Sequence, residues 1–209
     1  TEIYTLSLHD ALPISARIFT VTGGIAQPAW SVAIDASSSL ALHHTGDRML
    51  AAGAAGVTLH RRGAEPVHLG AVQEASGVAF QPSGDSAVIA DAAQRALIVI
   101  DTLASESSSR TISVDGDLGV PSAVTWSRDG RHVWCAGREV NALARVDIAS
   151  GAIDRIPTDV AVTEFDRLPG SDHFLISPPL SGQAAWMLLA QADRVATYFV
   201  PGNPEGAGQ

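Results

Sequence analysis

The chain has 209 residues, 46% of them hydrophobic, and its formal net charge at pH 7 is −9. This composition suffices for one globular domain with a sizeable core, and the acidic balance argues against nucleic acid or an anionic membrane as partner, because both bind mainly basic side chains. All thirteen basic residues are arginines, which excludes a Schiff-base lysine or a phosphate-binding Walker lysine from this sequence.

The first fifteen residues resemble a translated sequencing adapter rather than natural protein. The run TEIYTLSLHDALPI matches the conceptual translation of a short-read sequencing adapter codon by codon, although its residues 3–8 also alternate like an ordinary edge strand. We therefore predict that residues 1–15 are an assembly artefact and that the natural N-terminus lies upstream of Ala16. This leaves the localisation open, with an exported bacterial protein, periplasmic or secreted, as one hypothesis.

A pattern of an apolar strand, a tight polar turn and a second apolar strand then recurs four times. One glycine marks each turn, where it takes a positive φ without a clash, and Phe80 and Trp126 recur just before the turn, where we expect them to pack between repeats. The glycines are 38, 46 and 40 residues apart, close to the roughly 40–50 residues of a propeller blade. Two further strand-like runs follow each hairpin, so each unit supplies the four strands of a blade. The turn glycines are Gly46, Gly84, Gly130 and Gly170.

The predicted fold class is therefore all-β: a β-propeller fragment of about four four-stranded blades plus a remnant of a preceding blade. Because blades stack their apolar faces on their neighbours, two faces should lack partners, so the missing propeller blades are expected partners and the isolated fragment should self-associate. The predicted boundaries are residues 16–36 for the remnant, about 37–72, 73–116, 117–158 and 159–200 for the blades, and 201–209 for a polar tail.

Two segments carry a family resemblance. In residues 90–101, ADAAQRALIVID, a polar loop separates an apolar strand from a VxVID-like strand, and residues 145–151, RVDIASG, supply a matching turn. Both resemble the YVTN-type bacterial β-propeller repeat, and the resemblance covers roughly residues 40–200. It implies the fold and leaves the function open, since the repeat occurs in lactonases, surface-associated proteins and cofactor-reductase-like propellers. A WD40 repeat is the weaker alternative, because no Trp-Asp dipeptide closes a blade.

Catalytic signatures are absent from the sequence: it has no nucleophile elbow, HExxH motif or glycine-rich phosphate loop. His43 and His44 are adjacent on a strand and so point to opposite faces, and Glu164 and Asp166 are explained by solvent exposure on one strand face. Cys135 is expected in the core. We therefore predict no metal site and no cofactor.

The candidate site follows from topology, because loops of successive blades meet on one face around the central channel. We predict a non-catalytic binding propeller whose partner is an unknown protein or small-molecule ligand. No nucleic acid is expected, nor membrane insertion, since no stretch approaches the roughly 18 apolar residues of a spanning helix. The alternative is a lactonase-like propeller hydrolase whose catalytic groups are unidentified or in missing blades. The candidate ligand-binding residues are Asp91, Arg95, Arg138, Glu139 and Asn141.

Overall fold

The computed structural model describes residues 14–34, 39–53, 56–101, 103, 108–158, 162, 164–168, 171, 173–177, 185–191 and 194–200, with the backbone alone for residues 14, 177, 185–191 and 194–200. The described residues form a two-stranded sheet, four four-stranded sheets that we call the first to fourth blades, and a short helix, α1 (Asp115–Leu118). No helix in this part of the chain is long and apolar enough to cross a membrane. The strands are β1 (Ile14–Thr22) and β2 (Ile25–Ile34); β3 (Ser39–Leu42), β4 (Arg48–Gly53), β5 (Gly56–Arg61) and β6 (Val67–Leu69); β7 (Ala75–Phe80), β8 (Ala87–Asp91), β9 (Ala96–Ile100) and β10 (Ser109–Ser113); β11 (Pro121–Trp126), β12 (His132–Gly137), β13 (Ala142–Asp147) and β14 (Ile153–Pro157); β15 (Asp166–Arg167), β16 (His173–Ser177), β17 (Ala185–Gln191) and β18 (Arg194–Val200).

Each blade is an antiparallel meander in which the strand order follows the sequence. Strand β7 contacts β3 and β4 of the first blade and also β11 of the third. The first strands of consecutive blades therefore lie side by side on the inner side of the stack, and the fourth strands lie at the outer edges.

The core lies between the blades, and this explains why their central strands lack polar alternation. In β8 all five residues are buried: Ala87 and Ile89 pack toward the first blade, and Val88 and Ala90 pack toward the third. Because successive side chains of a strand point to opposite faces, a strand covered on both sides reads as a continuous apolar run. Two predictions are confirmed here, since Trp126 is 2% exposed and Cys135 is fully buried.

The two-stranded sheet pairs β1 with β2 over their whole lengths, with a bulge between Ile18 and Phe19. It packs on the first blade through Ala16 and Ile18, which meet Met49. Its first residues, Ile14 and Ser15, belong to the segment predicted to be an artefact, and residues 1–13 lie outside the described part of the chain. The origin of that segment stays a prediction.

The turns between first and second strands depend on glycine in two ways. Gly46 and Gly130 have φ values of 74° and 68°, as predicted, because a residue without Cβ adopts this conformation readily. The same expectation is wrong for Gly84, which is outside the positive-φ region; there a Cβ would collide with the Gln81 side chain, which folds over the turn. Gly170 is not among the described residues.

Side chains link consecutive sheets through the carbonyl oxygens of these turn glycines. We call this series of hydrogen bonds the junction ladder. A side-chain N–H of one sheet donates to the turn of the next, and the donors His43 and Gln81 each lie three residues before the turn glycine of their own blade. The three bonds are Trp30 Nε1 to Gly46 O at 2.9 Å, His43 Nε2 to Gly84 O at 3.0 Å and Gln81 Nε2 to Gly130 O at 3.0 Å.

Candidate functional site

The five predicted residues belong to the β8–β9 turn of the second blade and the β12–β13 turn of the third. Both turns are at the ends of their strands opposite the turn glycines, and the β10–β11 connection, which contains α1, lies beside them. We call the surface formed by residues 92–95, 114–120 and 138–141 the turn face.

Asp91 lies beneath this surface with an exposed fraction of 0%. Its carboxylate accepts hydrogen bonds from the backbone N–H of Gln73 at 2.7 Å, of Glu74 at 3.3 Å and of Gln94 at 3.1 Å, and from Gln94 Nε2 at 2.8 Å. Burial would raise the pKa of Asp91, but these donors together lower it, because each favours the charged carboxylate. The carboxylate is occupied by the connection that arrives from the first blade and is inaccessible to a ligand.

Gly137 occupies the place in the third blade that Asp91 occupies in the second, since each lies seven residues after its turn glycine. A Cβ at this position would lie 2.6 Å from the carbonyl oxygen of Leu118 and 2.9 Å from Cγ2 of Val140. The backbone of the arriving connection takes the space of a side chain, and the N–H of Arg138 donates to Val120 O at 2.8 Å. The second blade has the equivalent bond, from Ala92 N to Glu74 O at 2.8 Å. The two blades differ at the preceding N–H: Gln73 N donates to the Asp91 carboxylate in the second blade, whereas Gly119 N donates to the backbone oxygen of Asp115 at 3.1 Å in the third.

Arg95 brings the two turns together at the surface. Its Nη1 lies 2.9 Å from Asp115 Oδ1 and 3.6 Å from Glu139 Oε2, and the hydrogen bond that it donates to Asp115 is the main cause that raises the pKa of Arg95. The side chains of Arg95, Asp115 and Glu139 are 44%, 59% and 52% exposed. We call these three residues the Arg95 cluster; it joins the second blade, the third blade and the connection between them.

The backbone of Arg95 is unusual for an arginine. Its φ of 49° is the one positive value at a non-glycine residue in the described part of the chain. This left-handed conformation favours glycine, and a side chain there is retained against a steric penalty. The position therefore carries an arginine in spite of the backbone, which points to the guanidinium group as the reason.

The remaining predicted residues, Arg138 and Asn141, have exposed side chains. Their backbone groups tie the β12–β13 turn to neighbouring segments: Arg138 N donates to Val120 O, and Asn141 O accepts from Thr158 N, just after β14, at 2.9 Å. The structure thus places Arg95 beside Glu139, with Arg138 and Asn141 on the same surface. Asp91 is buried beneath that surface. Sequence reasoning missed Asp115, because it comes twenty residues after Arg95 and belongs to no recognisable motif.

Two buried titratable groups, His43 and Cys135, lie away from the turn face. His43 is 1% exposed and serves the junction ladder, and burial is the main cause that lowers its pKa. Burial likewise raises the pKa of the Cys135 thiol. Among the described residues no group of three His, Cys, Asp or Glu side chains could hold a metal ion.

Comparison with known proteins relates the chain to solved structures alone. No protein-family model matches it, and no curated protein does. A crystal structure of the mitotic checkpoint complex aligns with a TM-score of 0.64 at 12% identity, over 90% of this chain and 59% of that one. The Myceliophteria thermophila Cps50 (Swd1) β-propeller domain aligns with a TM-score of 0.62 at 12% identity, over 82% and 60%. Kuenenia stuttgartiensis hydrazine synthase aligns with a TM-score of 0.52 at 14% identity, over 78% and 45%.

These alignments, together with the stacked four-stranded sheets, confirm the predicted fold class: the chain is an all-β β-propeller structure. It spans 45 to 60% of the length of those solved chains. At 12 to 14% identity the likeness concerns the fold, and function has to be argued from the site.

Proposed function

We propose that this β-propeller is a non-catalytic binding protein that holds a protein partner on its turn face, with the Arg95 cluster at the centre of contact. The observation that carries the proposal is an arginine retained in a left-handed turn, where glycine would be the easier residue. One of the solved structures with the same fold belongs to a mitotic checkpoint complex, which supports a role in protein association by analogy of fold.

The ion pairs of the Arg95 cluster can be exchanged for bonds to a partner at little cost in stability. Both ion pairs of Arg95 are exposed, and exposed pairs contribute little to stability because water and salt screen them. A partner that covers the cluster would remove that screening and strengthen its own bonds to the guanidinium and carboxylate groups. Arginine is also among the residues enriched at the centres of protein interfaces.

The charged groups of the turn face come from two blades and the connection between them, and the three side chains of the Arg95 cluster are all exposed. Such a surface presents a broad area, which a protein can cover and a small molecule cannot. We also propose, from the resemblance of residues 90–101 and 145–151, that the blades are YVTN-type repeats of a bacterial protein and part of a longer propeller.

Substitution of Arg95 by glycine tests the proposal, because it removes the guanidinium while supplying the residue that the backbone prefers. Immobilised wild type and Arg95→Gly would be compared for proteins retained from a lysate of the encoding organism, by quantitative mass spectrometry. Arg131→Ala is the matched control, since Arg131 is an exposed turn arginine at the opposite end of β12. We expect a protein that wild type and Arg131→Ala retain equally and Arg95→Gly loses.

Equal retention by all three proteins would reject the turn face as the binding surface. Thermal unfolding of Arg95→Gly should show a midpoint equal to or slightly above that of wild type, which distinguishes lost binding from lost structure. The lactonase-like alternative is assayed separately by pH-stat hydrolysis of a panel of lactones. Turnover above the uncatalysed rate would replace the binding proposal with the enzymatic one.

A further inference from the structure

A cleft opens between the outer strands of the first and second blades, and Ala71 in its lining accepts a hydrogen bond from Gln94 of the turn face. Its volume is about 150 Å³, comparable to cavities that accommodate benzene. One wall is the face of the β5–β6 pair that carries Leu59, Val67 and Leu69, and the other is formed around Ile100 and Leu103. Leu59, Ile100 and Leu103 are 1%, 7% and 4% exposed, so the deep part of the cleft is apolar.

Two basic side chains, Arg61 and His68, line this cleft. Arg61 carries a permanent charge, and its Nη2 donates a hydrogen bond to the carbonyl oxygen of Leu103 on the facing wall. That bond spans the two blades and fixes the guanidinium beside the cavity. Arg61 takes part in none of the ion pairs formed among the described residues, although a guanidinium has five N–H donors and pairs most strongly with an anion.

We propose that the cleft binds a small monocarboxylate, with an apolar body of about six carbons in the cavity and its carboxylate on Arg61. Three features select this class: the volume admits a small molecule, the walls favour hydrocarbon, and the anchored guanidinium supplies the complementary charge. Ser109, which also lines the cleft, adds a hydroxyl donor that suits the same group. The cleft thus combines apolar walls with three polar side chains, Arg61, His68 and Ser109, and such a combination suits a small ligand that has an apolar body and one polar end.

Hexanoate is the probe, and hexanamide is its neutral isostere. Ligand-observed saturation-transfer NMR on the full chain should give a dissociation constant for hexanoate of about 1 mM or below and weaker binding of hexanamide. Arg61→Gln should weaken hexanoate at least about tenfold and leave hexanamide unchanged. Arg62→Gln is the matched control, because Arg62 is the adjacent exposed turn residue outside the cleft, and it should bind both compounds as wild type does.

A second variant keeps the test independent of the bond between Arg61 and Leu103. Val67→Phe places a larger side chain in the cleft and should abolish binding of both compounds, while circular dichroism reports whether the fold is retained. Equal affinity of wild type for hexanoate and hexanamide would overturn the proposal, as would unchanged hexanoate binding by Arg61→Gln. Absence of saturable binding at about 10 mM would overturn it too. None of these three results bears on the Arg95 cluster, because no residue of that cluster lines the cleft.

Discussion

The β8–β9 turn and the β12–β13 turn occupy the same place in neighbouring blades and receive the same kind of connection from the blade before. In the second blade the Asp91 carboxylate accepts the N–H groups of that connection. In the third blade Gly137 has no side chain, and the backbone carbonyl of Leu118 lies in the space that a side chain would take. A repeat fold thus requires that buried polar groups at each junction be satisfied, and it does not fix which atoms satisfy them.

Gly137→Asp gives the third blade the aspartate that the second blade carries as Asp91. We expect this substitution to have the largest effect on the free energy of unfolding. The Cβ of the new aspartate would meet the Leu118 carbonyl at 2.6 Å, and a backbone contact cannot be relieved by rotating a side chain. We expect the free energy of unfolding to fall by about 3 kcal/mol, measured by urea denaturation. Gly116→Ala is the control in the same connection, because its Cβ would meet nothing within 4 Å. A neutral Gly137→Asp would show that the two turns are interchangeable.

Asp91→Ala removes the acceptor on which the second blade depends. The backbone N–H groups of Gln73, Glu74 and Gln94 lose a partner at a buried site, and we expect a loss of about 2–3 kcal/mol in the free energy of unfolding. Asp154→Ala is the matched comparison, since Asp154 is 59% exposed and its removal should change stability by less than about 1 kcal/mol. Similar losses in both variants would contradict a special role for the buried carboxylate.

The pH dependence of stability should differ between wild type and Asp91→Asn. The pKa of Asp91 is lowered in the folded state, so its stabilisation is present above the unfolded pKa of about 4 and is lost as the pH falls through the folded pKa. The stability gap between the two proteins should stay constant from pH 7 to about pH 4 and shrink below that. A gap that persists unchanged under acid would show that Asp91 is not a charged acceptor.

The sequence predicted the blades well because their signal is local. A hairpin needs a turn residue of suitable conformation between apolar strands, and Gly46 and Gly130 show that conformation. At Gly84 the φ is not positive, and a Cβ would instead meet the end of the Gln81 side chain, which would have to move. That contact depends on a side-chain position, which a turn motif does not reveal.

The candidate site was harder to predict because it depends on contacts between distant segments. Arg95 and Glu139 could be placed on one surface, since both follow second strands of adjacent blades. The burial of Asp91 is set by the backbone of a connection eighteen residues earlier, and Asp115 approaches Arg95 through a connection whose path the apolar pattern does not describe. Strand periodicity specifies blades, whereas the surface between them is specified by loop paths.

The junction ladder has a consequence for how the repeats can diverge. Indole, imidazole and carboxamide nitrogens from Trp30, His43 and Gln81 donate to equivalent backbone carbonyls in successive turns. A carbonyl acceptor discriminates little among N–H donors, so mutation can exchange one donor residue for another while the blades remain joined. The residue at the donor position can therefore differ from sheet to sheet, as it does among Trp30, His43 and Gln81, while the hydrogen bond between consecutive sheets is kept.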